Sequence, residues 1–312
     1  MTLKEDILNA ETICIAGHTN PDGDAVSSTL ALALAVEQLG KKPYILLEDY
    51  SDEFDVLDGR KYIYSLSYDE LAPDLFIASD CGDKERLGEA AKVFDRAKKT
   101  WNIDHHVSNT SFAQVNVVEP ASSSACEVVY ETVKDFIKLD KNIATALYTG
   151  ILTDTGGFRH NSTHKRTHEI AGILVEAGVD TPFIHNKMLM EHTLVQAKVL
   201  AQAIENVSFE GSVCISYIDS IQLEKIGADK KDLGAVIDYL ITMRGAEVAV
   251  FAYERNDGCV KLSFRSKSLD VNKIAAKLGG GGHVLASGAS VNNDIESALL
   301  QSLQLIREGM QC

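Results

Sequence analysis

Four short segments hold most of the histidine and aspartate residues that could do chemistry in this chain. They are HTNPDGDA at 18–25, SDCGD at 79–83, DHH at 104–106 and TDTG at 153–156. Carboxylate and imidazole ligands without cysteine suit Mn²⁺, Mg²⁺ or Fe²⁺ better than a thiolate zinc site. The segments therefore predict a site for divalent metal ions. Its candidate residues are, in chain order, His18, Asp22, Asp24, Asp80, Asp104, His105, His106 and Asp154.

Each segment also has a simpler interpretation as ordinary local structure. Asp22 could cap the helix predicted to begin near Ala25, but one cap explains neither Asp24 nor His18. Asp80 lies too early to cap the helix predicted after it. Asp154 lies at the carboxyl end of an apolar helix, where the negative end of the helix dipole disfavours a carboxylate. A bound metal ion would compensate that repulsion. We therefore favour metal ligation, because the segments occur together.

The elements that must position these residues alternate between strands and helices. We predict strands at 12–17, 42–47, 74–79 and 100–103, and helices at 25–39, 84–94, 122–137 and 143–153. Near-continuous apolar strands separated by helices predict an α/β domain with a mainly parallel sheet covered on both faces. Chemistry in such sheets occurs beyond the carboxyl ends of the strands, where three of the four segments fall.

The pattern changes after a predicted connecting helix at 191–207. Strands are expected at 212–218, 247–253 and 259–264, with a hairpin turn at Asp257-Gly258 between the last two. Helices are expected near 231–243, 270–278 and 296–308. We therefore predict a catalytic domain at 1–190 and a smaller α/β domain at 208–312.

A second candidate site lies in the smaller domain. Arg265 ends a predicted strand, and four glycines at 279–282 precede His283. A glycine-rich loop lets backbone N–H groups approach an anion closely, and an arginine fork suits phosphate. A flexible linker is the alternative, but ordered-looking sequence follows. The predicted phosphate-binding residues are Arg265, Gly280, Gly281, Gly282 and His283.

Composition limits the partners that we expect. The 312 residues carry a formal net charge of −15, which argues against binding long nucleic acid over a broad basic surface. The longest apolar run, 30–36, is far shorter than the roughly 18 residues of a membrane span. There is no basic leader before an apolar stretch and no C-x-x-C pair. We expect a cytoplasmic protein that does not bind membranes.

The ordered set of four motifs resembles the DHH phosphoesterase family, and the glycine segment with Arg265 resembles its DHHA1 domain. The resemblance implies two divalent ions, usually Mn²⁺, with Mg²⁺ and Fe²⁺ as alternatives. It implies that the first ion binds His18, Asp22 and Asp80. It implies that the second binds Asp24, Asp80, His105 and Asp154, so that Asp80 bridges. Two catalytic roles are also implied: His106 would contact the scissile phosphate, and Asp104 would support the histidines.

The resemblance implies stand-alone enzymes that hydrolyse short oligoribonucleotides of about two to five nucleotides and remove the 3′-phosphate of pAp. The substrate would lie in the cleft between the domains, with metal-activated hydroxide as nucleophile. The alternatives are a phosphodiesterase for cyclic di-AMP or pApA, a pyrophosphatase, and a non-catalytic nucleotide sensor. Whether the protein forms a homodimer stays open. Several relatives carry Arg directly after TDTG, where this chain has Gly157, so contacts from Arg159 or Arg86 also stay open.

Overall fold

Five parallel strands form the centre of the first of two units into which the chain divides, Met1–Glu191 and His192–Cys312. The structure is a computed structural model that describes residues 2–64, 67–255 and 258–310. In this unit the sheet order is β2-β1-β3-β4-β5, which confirms the expected α/β fold. The strands are β1 (Ile13–Ala16), β2 (Pro43–Leu46), β3 (Leu75–Ser79), β4 (Lys99–Asp104) and β5 (Val115–Val118).

Helices cover this sheet and bury its apolar strands. They are α1 (Leu3–Asn9), α2 (Gly23–Gln38), α3 (Ala90–Arg96), α4 (Ala125–Val133), α5 (Lys141–Asp154), α6 (Lys165–Glu176) and α7 (Thr181–His185). β1 and β3 are buried along their whole length, which explains their apolar sequences. The helix α2 is buried on nearly every side because it packs between the sheet, α4 and α5.

The first unit departs from the sequence prediction after the SDCGD segment and at one edge of the sheet, and the helices α1 and α7 were not predicted either. The helix expected at 84–94 is split into a 3₁₀ turn at Glu85–Leu87 and α3, because Gly88 between them adopts a φ of 55°. The edge strand β5 was not predicted. It is only four residues long and half-buried throughout, so its sequence lacks the apolar run of a central strand.

The second unit contains a mixed six-stranded sheet with the order β10-β11-β9-β8-β7-β6. Its strands are β6 (Ser208–Glu210), β7 (Val213–Ile218), β8 (Val248–Glu254), β9 (Val260–Ser266), β10 (Gly281–His283) and β11 (Ala286–Val291). Its helices are α8 (Leu194–Glu205), α9 (Ser220–Ile226), α10 (Gly234–Leu240), α11 (Val271–Lys277) and α12 (Ile295–Met310). Among its described strands, only β7 and β8 pair in parallel.

Apolar clusters form on the two faces of this second sheet. α11 and α12 pack on one face, and α8 and α10 contribute to the cluster on the other. The predicted connecting helix therefore contributes, as α8, to the core of the second unit. β8 and β9 pair antiparallel, as a hairpin requires, although the predicted turn residue Asp257 lies outside the described residues. No helix within the described ranges is both long and apolar enough to cross a membrane.

Candidate metal centre

The carboxyl ends of three neighbouring strands carry the first parts of the site. His18 follows β1, Asp80 follows β3, and His105 follows β4; these strands are adjacent in the order β1-β3-β4. Carboxyl ends of parallel strands meet at one edge of the sheet, so residues far apart in sequence come together. Asp22 and Asp24 lie at the start of α2, and Asp154 is the last residue of α5.

His18, Asp22 and Asp80 form one group of potential ligands, with ligand atoms within 4.8 Å of one another. The His18 Nε2 atom lies 3.7 Å from Asp22 Oδ2 and 3.6 Å from Asp80 Oδ2. The other ring nitrogen, Nδ1, lies 2.9 Å from the carbonyl oxygen of Thr19. A proton on Nδ1 would be donated to that carbonyl and would leave the Nε2 lone pair directed at the carboxylates, which is how metal-binding histidines are usually held.

The position of Asp22 is compatible with both roles that the sequence left as alternatives. Its Oδ1 accepts hydrogen bonds from the amides of Asp24 and Ala25, each at 3.1 Å, and so caps α2. Its Oδ2 is the atom that faces His18. One carboxylate can therefore begin the helix and still present an oxygen to a metal ion.

A second group joins His105, Asp24 and Asp154, with Asp80 beside it. His105 Nε2 lies 3.9 Å from Asp24 Oδ2 and 3.7 Å from Asp154 Oδ2. The same nitrogen lies 3.6 Å from Asp80 Oδ1, whereas His18 faces Asp80 Oδ2. The two oxygens of Asp80 thus face the two groups, which is the arrangement that a bridging carboxylate needs.

Asp80 itself has two unfavourable features that indicate a functional constraint. Its φ of 53° places a non-glycine residue in the left-handed region, a conformation that costs about 1–3 kcal/mol unless its surroundings enforce it. It is 1% exposed, and its buried Oδ1 accepts no hydrogen bond from any residue in the described ranges. A buried carboxylate oxygen without a donor is costly. A divalent cation would satisfy it, so the residues present fit a metal ion.

The electrostatics of the cluster also favour bound cations. Burial, followed by the negative charges of Asp24, Asp22, Asp104 and Asp154, raises the pKa of Asp80 well above its usual range. Burial likewise raises the pKa of Asp24. Burial and the charge of Asp24 raise the pKa of Asp154 to about 7. These carboxyl groups repel one another when ionised, and divalent ions among them would compensate that charge.

Asp104 holds His106 through a buried hydrogen-bond network. His106 Nδ1 lies 2.8 Å from Asp104 Oδ1, so a proton on Nδ1 is donated to the carboxylate. Asn109 donates from Nδ2 to the other Asp104 oxygen at 2.5 Å and to Asn102 Oδ1 at 2.7 Å. Burial would raise the pKa of Asp104, but the hydrogen bonds from His106 and Asn109 outweigh it and hold that pKa below its usual value. Asp104 therefore stays ionised and fixes the ring of His106.

Sequence reasoning missed Asn109 and a second support, which holds Asp24. The Asp24 carboxylate accepts hydrogen bonds from the amides of Ala125 at 2.5 Å and Cys126 at 3.0 Å. These amides belong to the amino-terminal turn of α4, where a negative charge is favourable. No local signal predicts a contact between residues about one hundred positions apart, although SSS at 122–124 does resemble a helix start.

Gly150 has no side chain, and this allows Asp24 and α4 to contact each other. A larger residue at this position should disturb their packing. A Cβ atom at Gly150 would lie 2.2 Å from Cys126 Sγ and 2.8 Å from Asp24 Oδ1. We expect Gly150→Ala to lower the free energy of unfolding by about 1–3 kcal/mol, as overpacking does. Gly172→Ala on α6 is the matched control, because a Cβ there meets no atom within 4 Å. It should be neutral or stabilising by about 0.5–1 kcal/mol. Urea unfolding measures both, and equal stabilities of the two variants would contradict the packing argument.

The second half of the predicted glycine loop is an edge strand, which corrects the expected local structure and leaves phosphate binding a prediction. Gly281, Gly282 and His283 form β10 and pair with β11. A Cβ at Gly280 would lie 2.1 Å from the carbonyl oxygen of Gly288, and one at Gly282 would lie 2.7 Å from that of Ala286. Two of the glycines are therefore required by close backbone approach. In the sheet of described residues, β10 is an edge strand and pairs with β11.

Arg265 lies at the end of β9 with its guanidinium partly engaged. Its Nε donates to Asp238 Oδ1 at 2.8 Å, and its Nη1 donates to the carbonyl of Phe264 at 3.2 Å. The side chain is about one-third exposed. Asp238, on α10, orients the arginine and was not predicted from the sequence.

The remaining candidate residues lie in ordinary structural contacts. Arg159 donates from Nε to the carbonyl of Gly156 at 2.6 Å. The backbone carbonyl of Arg86 accepts a hydrogen bond from the amide of Thr19 at 2.7 Å and so supports the His18 loop.

Two histidines near α6 also lie in ordinary structural contacts. His164 precedes α6, and His168 stacks on Phe158, with ring centroids 5.3 Å apart. Neither histidine belongs to a group of potential metal ligands within the described part of the chain.

Comparison with known proteins agrees with the two-unit fold. Residues 12–151 match the DHH family, N-terminal domain, and residues 210–310 match the DHHA1 domain. The chain is 32% identical to the bifunctional oligoribonuclease and PAP phosphatase NrnA of Thermus thermophilus, over 99% of this chain and 94% of that protein.

Two solved structures share the fold. An exopolyphosphatase-related protein from Bacteroides fragilis has a TM-score of 0.90 at 24% identity, covering 97% of this chain and 94% of that one. RecJ of Thermus thermophilus, solved in complex with Mn²⁺, has a TM-score of 0.57 at 12% identity, covering 98% of this chain and 54% of that one. The matched domain models, the near full-length relative and the His/Asp cluster lead to one conclusion: the chain belongs to the DHH/DHHA1 family of phosphoesterases.

Proposed function

We propose that this protein is a metal-dependent phosphoesterase that hydrolyses short oligoribonucleotides to mononucleotides and removes the 3′-phosphate of pAp. The observation that carries the proposal is the shared position of Asp80 between two groups of potential ligands. The relative named as a bifunctional oligoribonuclease and PAP phosphatase, aligned over nearly the whole chain, supports this substrate class.

In this proposal the chain's own residues bind and orient the reactants. His18, Asp22 and Asp80 hold one divalent ion, and Asp24, Asp80, His105 and Asp154 hold the other. Such ions, most simply Mn²⁺, lower the pKa of a nucleophilic water and stabilise charge on the phosphate.

His106 contacts the scissile phosphate, and Asp104 fixes the orientation of the His106 ring through the 2.8 Å hydrogen bond. Since Nδ1 is engaged by Asp104, Nε2 is the ring atom available to the substrate. Asp104 is a positioning residue, because it acts on the substrate only through His106.

The second unit contributes residues that bind a terminal phosphate. Arg265 donates through Nε to Asp238 and through Nη1 to Phe264, which leaves its Nη2 group available as far as the described residues show. The exposed edge strand of Gly281, Gly282 and His283, with Gly280 before it, presents backbone and imidazole groups to an anion. Binding through a terminal phosphate favours short substrates. It needs no broad basic surface, which is consistent with the net charge of −15.

A parallel assay in Mn²⁺ with pAp, pApA, a short RNA oligomer, cyclic di-AMP and pyrophosphate tests the proposal. We expect turnover of the RNA oligomer and of pAp at rates within about a hundredfold of each other, and little hydrolysis of pyrophosphate. A preference for cyclic di-AMP or pApA would support the alternative phosphodiesterase. Absence of hydrolysis of every compound would support a nucleotide sensor and contradict an enzyme.

A further inference from the structure

One face of the second sheet carries the apolar cluster formed with α8 and α10, and it is only partly covered around strands β9 and β11. Along β9, Val260, Leu262 and Phe264 are buried, while the alternate residues point to the other face and are half-buried. Directly paired residues of antiparallel strands share a face. This face therefore contains Lys261, Ser263 and Arg265 of β9 and Ala286, Gly288 and Ser290 of β11.

The Lys261 side chain extends across this face over β11. A Cβ atom placed on Gly288 would lie 3.4 Å from Lys261 Nζ and 3.5 Å from its Cε. Gly288 is paired with Gly281 of β10 on its other side. The ammonium thus lies beside Gly288, which has no side chain that could separate it from a ligand.

Lys261 has no acidic partner on this face. Its ammonium forms no ion pair or hydrogen bond with any residue in 2–64, 67–255 or 258–310. Partial burial lowers its pKa, and the positive charges of Lys230 and Arg255 lower it further. Arg265, in contrast, is paired with Asp238. A half-buried, uncompensated ammonium among other cations is stabilised by a bound anion.

We propose that Lys261 binds an additional phosphate of the oligonucleotide, next to the phosphate bound by Arg265. The proposal rests on the proposed function and names a further contact for its substrate. Arg265 is paired with Ala286, and Gly288 lies two residues farther along β11, about 7 Å away. The two cationic positions can therefore bind successive phosphates of one strand. Lys261 would then contribute to the binding of substrates that keep two phosphates besides the cleaved one. It would contribute little to substrates that keep only one.

The test compares pAp with a 5′-phosphorylated RNA trinucleotide. Besides the cleaved phosphate, pAp has one phosphate and the trinucleotide has two. We expect Lys261→Met to lower kcat/KM for the trinucleotide about tenfold more than for pAp, and Lys261→Arg to restore most of the loss. The slope of log(kcat/KM) against log salt for the trinucleotide should become shallower by about 0.7. Arg265→Ala should impair both substrates.

Lys273→Met is the matched control, because Lys273 is exposed on α11, which packs against the opposite face. It should behave as wild type. Equal effects of Lys261→Met and Lys273→Met, or equal losses on the two substrates, would overturn the additional phosphate position.

Anisotropy of a labelled trinucleotide with Asp80→Asn protein, which we expect to be inactive, separates binding from turnover. Adding Lys261→Met in that background should weaken binding about tenfold, and unchanged binding would overturn the inference. If wild-type protein hydrolyses neither substrate, the proposed function fails; the binding comparison still decides the role of Lys261.

Discussion

Asp80→Asn should abolish hydrolysis of every substrate while leaving the metal-free protein folded and slightly more stable. Loss of a residue that merely supports a metal ligand costs about 10–100-fold, so removing a carboxylate shared by two ions should lower kcat by at least about 10³-fold. Asparagine keeps the size of the side chain and tolerates the left-handed backbone that Asp80 adopts.

The stability change follows from the charges around Asp80. In the metal-free protein burial, followed by the charges of neighbouring carboxylates, raises the pKa of Asp80, and its Oδ1 has no donor among the described residues. Replacing it by a neutral amide removes the repulsion, so urea unfolding in EDTA should show a gain of about 1 kcal/mol. A lower free energy of unfolding for Asp80→Asn would show that the Asp80 carboxylate stabilises the metal-free protein.

Asp83→Asn is the matched control for this experiment. Asp83 belongs to the same motif but accepts a hydrogen bond from the amide of Arg86 at 2.9 Å, and it is in none of the groups of potential ligands found among the described residues. Asparagine can accept the same bond, so activity should stay within about threefold of wild type. Comparable losses in the two variants would contradict a special role for Asp80.

The residues of the candidate site could be predicted because each lies in a short motif. His18, Asp80 and His105 follow strands whose apolar sequences identify them, and parallel strands bring such ends together. Their supports could not be predicted in the same way. Asn109 bonds to Asp104 within a loop, and Asp24 bonds to the start of α4, so only the folded chain shows them.

The second unit shows a different limit of sequence reasoning. The glycine run has no side-chain pattern, so strand pairing through Gly281 and Gly282 could not be distinguished from a loop. Lys261 was not predicted because its significance depends on Gly288, which lies on a neighbouring strand. The Arg265 assignment was available from local sequence alone, but its partner Asp238 lies on a separate helix.

Removal of divalent ions should eliminate turnover and lower the melting temperature, and Mn²⁺ should restore both with two ions bound per chain. At a free concentration one hundred times its dissociation constant, each ion stabilises the folded state by about 2.7 kcal/mol, so two would contribute about 5 kcal/mol. Repulsion among Asp24, Asp80 and Asp154 in the metal-free state gives the physical reason.

Asp154→Asn separates the two ions, because Asp154 belongs only to the group with Asp24 and His105. We expect isothermal titration with Mn²⁺ to find one ion per chain in this variant and two in wild type, with turnover lost and about half of the thermal stabilisation retained. Two tightly bound ions in the variant would exclude Asp154 as a ligand. Full activity of wild-type protein after exhaustive chelation would exclude metal-dependent hydrolysis.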